Sequence, residues 1–97
     1  MPHAYRIIAE KLSQPGGEAP ISTAFEVTNH DDIVPLIDRV RTLNIVPETE
    51  VAAFTVGLKL FIDVLMRHRR EPLFEPLHPH ILEFMKRLKA NAPAQAA

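Results

Sequence analysis

Five histidines in a chain of 97 residues are the first feature that suggests chemistry. His78 and His80 lie two residues apart, and His30 directly precedes Asp31 and Asp32. A zinc or iron site needs three or four ligands that converge on one point, and the chain has no cysteine to supply a sulfur ligand. The sequence leaves open whether these side chains converge. We interpret the histidines as helix-cap and surface residues, and we predict neither a metal nor a cofactor.

Two further patterns could support catalysis. Asp31 and Asp32 are adjacent carboxylates, but neighbouring residues that enter a helix point in different directions and do not naturally share a proton. Ser13 and Ser22 lie outside any Gly-x-Ser-x-Gly motif, and Gly16-Gly17 is too short a glycine cluster to hold a phosphate. We therefore predict that the protein is not an enzyme, and no catalytic residue is assigned.

The run Arg67-His68-Arg69-Arg70 is the strongest charge cluster in the sequence. Such a cluster can bind a phosphate or a nucleic-acid backbone, although cations are also favourable at the C-terminus of a helix. No aromatic residues alternate with these arginines to stack on bases, and the net charge of the chain is −1. Nucleic-acid binding through Arg67–Arg70 is therefore the alternative function, not the leading one.

The remaining charges are unevenly distributed along the chain. Residues 1–50 hold four Lys/Arg and eight Asp/Glu, whereas residues 51–97 hold seven and four, so the two halves carry −4 and +3. Opposite charges of this kind favour attraction between the two halves within one fold. A polar contact between two copies of the chain is the alternative explanation.

Length and composition predict one globular domain, residues 1–90, with 46% apolar and 24% charged residues. The N-terminus has no apolar run that could act as a signal peptide. The longest apolar stretch, Val51–Met66, contains Lys59 and Asp63 and is shorter than the roughly 20 residues of a membrane span. Because a small secreted domain usually contains disulfides, we expect a cytoplasmic protein without a membrane segment.

Two alternating segments predict a β-hairpin at the N-terminus. Ala4–Leu12 and Ile21–Thr28 alternate in hydropathy, and residues 13–20 contain the turn signal Pro15-Gly16-Gly17. Strands this close in sequence should pair antiparallel. The face predicted to be buried comprises Tyr5, Ile7, Phe25 and Val27.

The first helix is delimited by its proline and its polar ends. Pro35 is tolerated only in a first turn, where its missing N–H would have no partner, so the N-cap is Asp31 or Asp32. The apolar stripe then continues to about Leu43, and Asn44 is a suitable C-terminal stop.

Two more helices follow. The second is predicted to begin at Pro47 and to continue until Glu71-Pro72. The third runs from Pro79 to about Ala90 and leaves residues 91–97 as a flexible tail. The sequence therefore predicts an α+β fold of the order ββααα, with a single layer of helices packed on the hairpin.

The second helix carries more apolar surface than one neighbour can cover. Its apolar residues cover more than half of the helix circumference, whereas the apolar stripe of a surface helix usually spans only about 100°. We predict that this helix is central and covered from two sides, with Phe61 in the core. Ala53 and Gly57, four residues apart, mark a place where another backbone could approach closely.

Several blocks of the sequence resemble a small bacterial family of unknown function. These blocks are Asn29-His30-Asp31-Asp32-Ile33, Gly57-Leu58-Lys59-Leu60-Phe61 and Pro72-Leu73-Phe74. The resemblance extends from Tyr5 to about Lys89, although Pro35 departs from the family pattern. It implies a free-standing bacterial protein and supplies no activity, ligand or catalytic residue.

The leading hypothesis is a protein-interaction module that binds another protein, with self-association into a homodimer as one form of that binding. It depends on the excess apolar arc of the second helix and on the open edges of a two-stranded sheet. The residues predicted to form the interaction surface are Leu60, Val64, Arg67, Arg69 and Arg70.

Overall fold

The computed structural model describes residues 2–12, 16 and 21–96, with side chains described up to residue 90. Its elements are the strands β1 (His3–Glu10) and β2 (Ser22–Asn29) and the helices α1 (Ile33–Arg41), α2 (Val51–Arg67) and α3 (His78–Ala96). The predicted α+β class and the ββααα order are confirmed. The chain divides into two compact units, Met1–Asp31 with the hairpin and Asp32–Ala97 with the helices.

The hairpin has the antiparallel pairing that the alternation predicts. Tyr5 lies opposite Val27, and Ile7 lies opposite Phe25, so the four residues do share one face. Tyr5, Ile7 and Val27 are half-buried, but Phe25 is 47% exposed. The prediction that Phe25 is buried was therefore wrong. A two-stranded sheet buries a face only against a second layer, and the described residues leave half of this ring uncovered.

Of the predicted loop at residues 13–20, only Gly16 belongs to the described part of the chain. Gly16 lies in a turn with a φ of 92°. This left-handed conformation is readily accessible to glycine because it has no Cβ. The other loop residues, including Pro15 and Gly17, lie outside the described residues.

The junction between β2 and α1 is fixed by side-chain chemistry. Asn29 is 7% exposed, and its Oδ1 accepts a hydrogen bond of 3.0 Å from the Asp31 backbone N–H. This is an Asx-turn, in which the side-chain oxygen of Asn29 takes the place of a backbone acceptor. Asp32 then occupies the N-cap position with an extended backbone. Pro35 is the third helical residue, in the first turn as predicted.

The ends of α1 and the start of α2 refine the predicted boundaries. α1 ends at Arg41, two residues before the predicted Leu43, and hydrogen-bonded turns follow. Asn44 lies three residues after the end of α1 and has a φ of 55°, the left-handed conformation that is common where a helical segment ends. The first turn after Pro47 is a 3₁₀ turn, Glu48–Glu50, and the α-helix begins only at Val51.

The best-buried side chains of the helical unit come from α1 and α2, which contact each other. Ile33 and Val40 of α1 are 3% and 7% exposed, and Val51 and Leu65 of α2 are 2% and 0% exposed. Thr55 lies on the same face of α2, and its buried hydroxyl donates a hydrogen bond of 2.8 Å to the Val51 carbonyl. The one polar side chain on this face therefore has its hydrogen bond.

The other predicted boundaries of α2 and α3 were less accurate. α2 ends at Arg67, so Arg69 and Arg70 lie in the following turn and not on a helical stripe. α3 begins at His78, and its backbone continues to Ala96, past the predicted end at about Ala90. The single domain of residues 1–90 and the flexible tail of residues 91–97 stay predictions.

Candidate interaction site

The side of α2 opposite its buried face is apolar and open to solvent. Ala53 and Gly57 are exposed there, together with Phe61 (43% exposed) and Val64 (38% exposed). Leu60 lies between them and is half-buried. The prediction that Phe61 lies in the core was therefore wrong, whereas α2 does contact both α1 and α3. We call these five residues the open face of α2.

The centre of the open face forms a notch. A Cβ built on Gly57 would meet no heavy atom within 4 Å. Glycine lowers the stability of a helix interior by roughly 0.5–1 kcal/mol relative to alanine. No contact among the described residues requires a glycine at position 57. The notch therefore suits a backbone or a large side chain from outside the helical unit.

The two ends of α2 carry opposite charges. Glu48 and Glu50 lie in the 3₁₀ turn before the helix, and Arg67 is its last residue. Glu48 accepts hydrogen bonds of 2.7 and 2.9 Å from Arg41 Nε. The hydrogen bond that Arg41 donates to Asp38, followed by the one to Glu48, raises the pKa of Arg41 above its ordinary value, so it stays charged.

The basic cluster at the end of α2 is largely occupied by local partners. Arg67 pairs with Asp63 one turn earlier, and Arg69 donates a hydrogen bond of 2.6 Å to the Met66 carbonyl. His68 pairs with Glu71. These carboxylates reduce the local positive potential, so the cluster is a weaker anion site than its sequence suggests.

The histidines and aspartates considered for chemistry are divided between the two units. His30 and Asp31 belong to the hairpin unit, whereas Asp32, His78 and His80 belong to the helical unit. His78 is the first residue of α3 and is half-buried, and His80 is exposed. Within residues 2–12, 16 and 21–96, no three His, Asp or Glu side chains form a group that could hold a metal ion.

An apolar cleft of about 620 Å³ lies within the helical unit, between α1, α2 and α3. Its apolar walls are Leu36 and Val40 from α1, Leu43 from the turn after α1, Phe54 and Leu58 from α2, and Met85 and Leu88 from α3. The ring of Phe54 meets that of Phe84 edge to face, with centroids 6.4 Å apart, and links α2 to α3. The remaining lining residues are Thr42, Thr55, Arg39, Lys59 and Lys89.

Sequence reasoning missed this cleft. Leu36, Val40, Met85 and Leu88 lie on helical stripes that indicate a closed core. Periodicity shows that these residues face inward, but it does not show whether the helices close the space between them. The signal that could have found the site is the position of Arg39, Lys59 and Lys89, each one residue from an apolar lining position.

Together these features define a small α+β protein with one helix that is apolar on both sides and with an apolar cleft on its covered side. The chain belongs to the family described as a Domain of Unknown Function with solved structure, DUF3861, which matches residues 3–90. This result agrees with the family resemblance seen in the sequence.

A crystal structure of a protein of unknown function from Pectobacterium atrosepticum is similar to this chain. The two sequences are 32% identical, the TM-score is 0.81, and the match covers 93% of this chain and 99% of that chain. A search of curated proteins finds no match. In the part of the chain that the structure describes, no helix combines the length and apolar composition that a membrane span requires.

Proposed function

We propose that this protein is a non-enzymatic interaction module that pairs with a second copy of itself through the open face of α2. The observation that carries the proposal is the two-sided apolar character of α2, with one face buried and the opposite face exposed. Contiguous exposed apolar surface on a soluble domain is typical of a protein-binding site.

The spacing of residues on the open face suits a two-fold symmetric pair of antiparallel helices. An axis that crosses α2 midway between Gly57 and Leu60 makes each of these residues face the other in the second copy. The same axis sets Ala53 opposite Val64. Small residues then face large ones on both sides of the axis, which is the complementarity that a closed two-fold interface requires.

The charges at the helix ends match the same axis. Antiparallel pairing sets Glu50 of one copy beside Arg67 of the other, where Arg67 would be shared with Asp63 of its own chain. This pair occurs twice in a two-fold interface. This contact would involve the acidic start of one α2 and the basic end of the other, and so a small part of the uneven charge of the sequence. An exposed opposite-charge pair adds little affinity, whereas like charges set against each other at an interface weaken binding strongly.

The nucleic-acid alternative has less support. Asp63 and Glu71 lie beside the basic cluster and lower its positive potential, and the net charge of the chain is −1. A protein that binds a nucleic-acid backbone usually presents a strong positive patch. A gel shift with DNA and RNA at low salt tests this alternative, and a shift that weakens steeply as salt rises would favour it.

The decisive variant for self-association is Gly57→Gln. Because a side chain at Gly57 meets open space, the substitution should raise helix propensity and leave the single chain stable. The same side chain fills the notch, so it should prevent close approach of a second helix. We expect light scattering to give twice 10.9 kDa for the native chain and 10.9 kDa for Gly57→Gln at micromolar concentration.

A control separates blocking from unfolding. Leu73 is 80% exposed and lies outside α2, so Leu73→Gln adds the same side chain away from the open face. This control should stay dimeric with an unchanged circular dichroism spectrum. A native chain of 10.9 kDa at every concentration, or a Gly57→Gln variant that is folded and still dimeric, would refute the proposal.

A further inference from the structure

We infer that the cleft between α1, α2 and α3 is a binding site for a medium-chain fatty acid, with the alkyl chain inside and the carboxylate at the rim. The site is separate from the open face of α2, because Leu58 and Thr55 line the cleft whereas Gly57 and Val64 lie on the other side of the helix. The inference therefore does not depend on self-association.

The shape of the cleft fits a single apolar chain. Its volume of about 620 Å³ falls within the roughly 300–1,000 Å³ of small-molecule sites. All three helices contribute apolar side chains, among them Leu36, Leu58 and Leu88. Thr55 is polar, but its hydroxyl is already bonded to the Val51 carbonyl. The interior of the cleft therefore offers apolar contacts, and the Thr55 hydroxyl does not require a hydrogen bond from the ligand.

The charges at the cleft select the head group. Arg39, Lys59 and Lys89 each come from a different helix, and the described lining contains no Asp or Glu. Lys59 already has an interaction partner, so the exposed Arg39 and Lys89 are the cations that a head group would meet. An unbranched hydrocarbon would gain nothing from these two cations, and a cationic amphiphile would be repelled by them. A carboxylate at the end of an alkyl chain complements both the apolar walls and the positive rim.

The affinities for fatty acids of increasing chain length test whether the alkyl chain binds inside the cleft. Isothermal titration of the full chain with octanoate, decanoate and dodecanoate, each below its micelle concentration, should give one site per chain. Burial of one methylene group strengthens binding about fourfold, so each step of two carbons should strengthen binding by roughly tenfold or more. Affinity that does not change with chain length would overturn the inference.

A charge reversal at the rim tests the head group. Lys89→Glu should weaken the binding of dodecanoate by about fivefold or more. It should leave the affinity for dodecanol unchanged and raise the affinity for dodecylammonium. Lys86→Glu is the matched control, because Lys86 is exposed on the same helix and does not line the cleft. This control should bind all three probes as the native chain does.

The remaining outcomes each contradict the site. Equal effects of Lys89→Glu and Lys86→Glu would show that only the net charge matters. Native protein that binds dodecanol as tightly as dodecanoate would show that the cations do not recognise the head group. Native protein that binds none of the probes would show that another segment fills the cleft in solution.

Discussion

Truncation of Leu65 tests the helical core most sharply. Leu65 is 0% exposed, and only Val51 and Thr55 accompany it among the described side chains with less than 2% exposure. A buried Leu→Ala substitution removes apolar contact and leaves a cavity, and together these lower stability by about 2–5 kcal/mol. Few other fully buried side chains are available to compensate, so we expect a value in the upper half of that range.

Urea unfolding followed by circular dichroism measures this effect. A chain of this size loses about 1–2 kcal/mol of stability per molar urea, so Leu65→Ala should lower the midpoint by about 2 M or more. Leu73→Ala is the matched control. It removes the same atoms from a side chain that is 80% exposed, and we expect a change within about 0.5 kcal/mol.

The comparison between the two leucines decides the result. Both variants must be measured at one protein concentration, because self-association raises apparent stability by mass action. Equal midpoint shifts for Leu65→Ala and Leu73→Ala would refute the assigned core. A negligible shift for Leu65→Ala with a large shift for Leu73→Ala would mean that the helices pack through other faces.

Three further predictions concern turns and metals. Asn29→Ala removes the acceptor for the Asp31 N–H and should lower the free energy of unfolding by about 1 kcal/mol or more in urea titrations, whereas His30→Ala should have little effect. Asn44→Gly should be neutral or stabilising in the same titrations, whereas Asn44→Ala should destabilise by about 1 kcal/mol because of the positive φ. Elemental analysis of the untagged protein should find no stoichiometric zinc, iron or nickel, and a molar equivalent of any of these would contradict this expectation.

The parts of the fold that sequence predicted well are those with local causes. The antiparallel pairing of the hairpin follows from two alternating segments that are close in sequence. The start of α1 follows from Pro35, which is confined to a first turn, and the turns that follow α1 end at Asn44, which adopts the left-handed conformation. Each of these features depends on the backbone preferences of one residue or on a period of two.

The parts that sequence predicted poorly depend on which elements are neighbours. The apolar arc of α2 has the same width whether one or two layers cover it, so Phe61 was assigned to the core although it is 43% exposed. The prediction that Phe25 is buried was wrong for the same reason. The cleft is a property of three helices together, because Arg39, Lys59 and Lys89 are far apart in sequence and line one cleft only through the arrangement of the helices.

Sedimentation equilibrium of two charge-reversed chains tests the central claim most directly. In the proposed dimer, Glu50→Arg alone and Arg67→Glu alone each set like charges against each other and should sediment as 10.9 kDa monomers. A 1:1 mixture restores both opposite-charge pairs, since the new arginine meets the new glutamate and the native glutamate meets the native arginine. The account predicts a heterodimer in the mixture at micromolar concentration. A mixture that stays monomeric while the native chain is dimeric would contradict antiparallel pairing of α2.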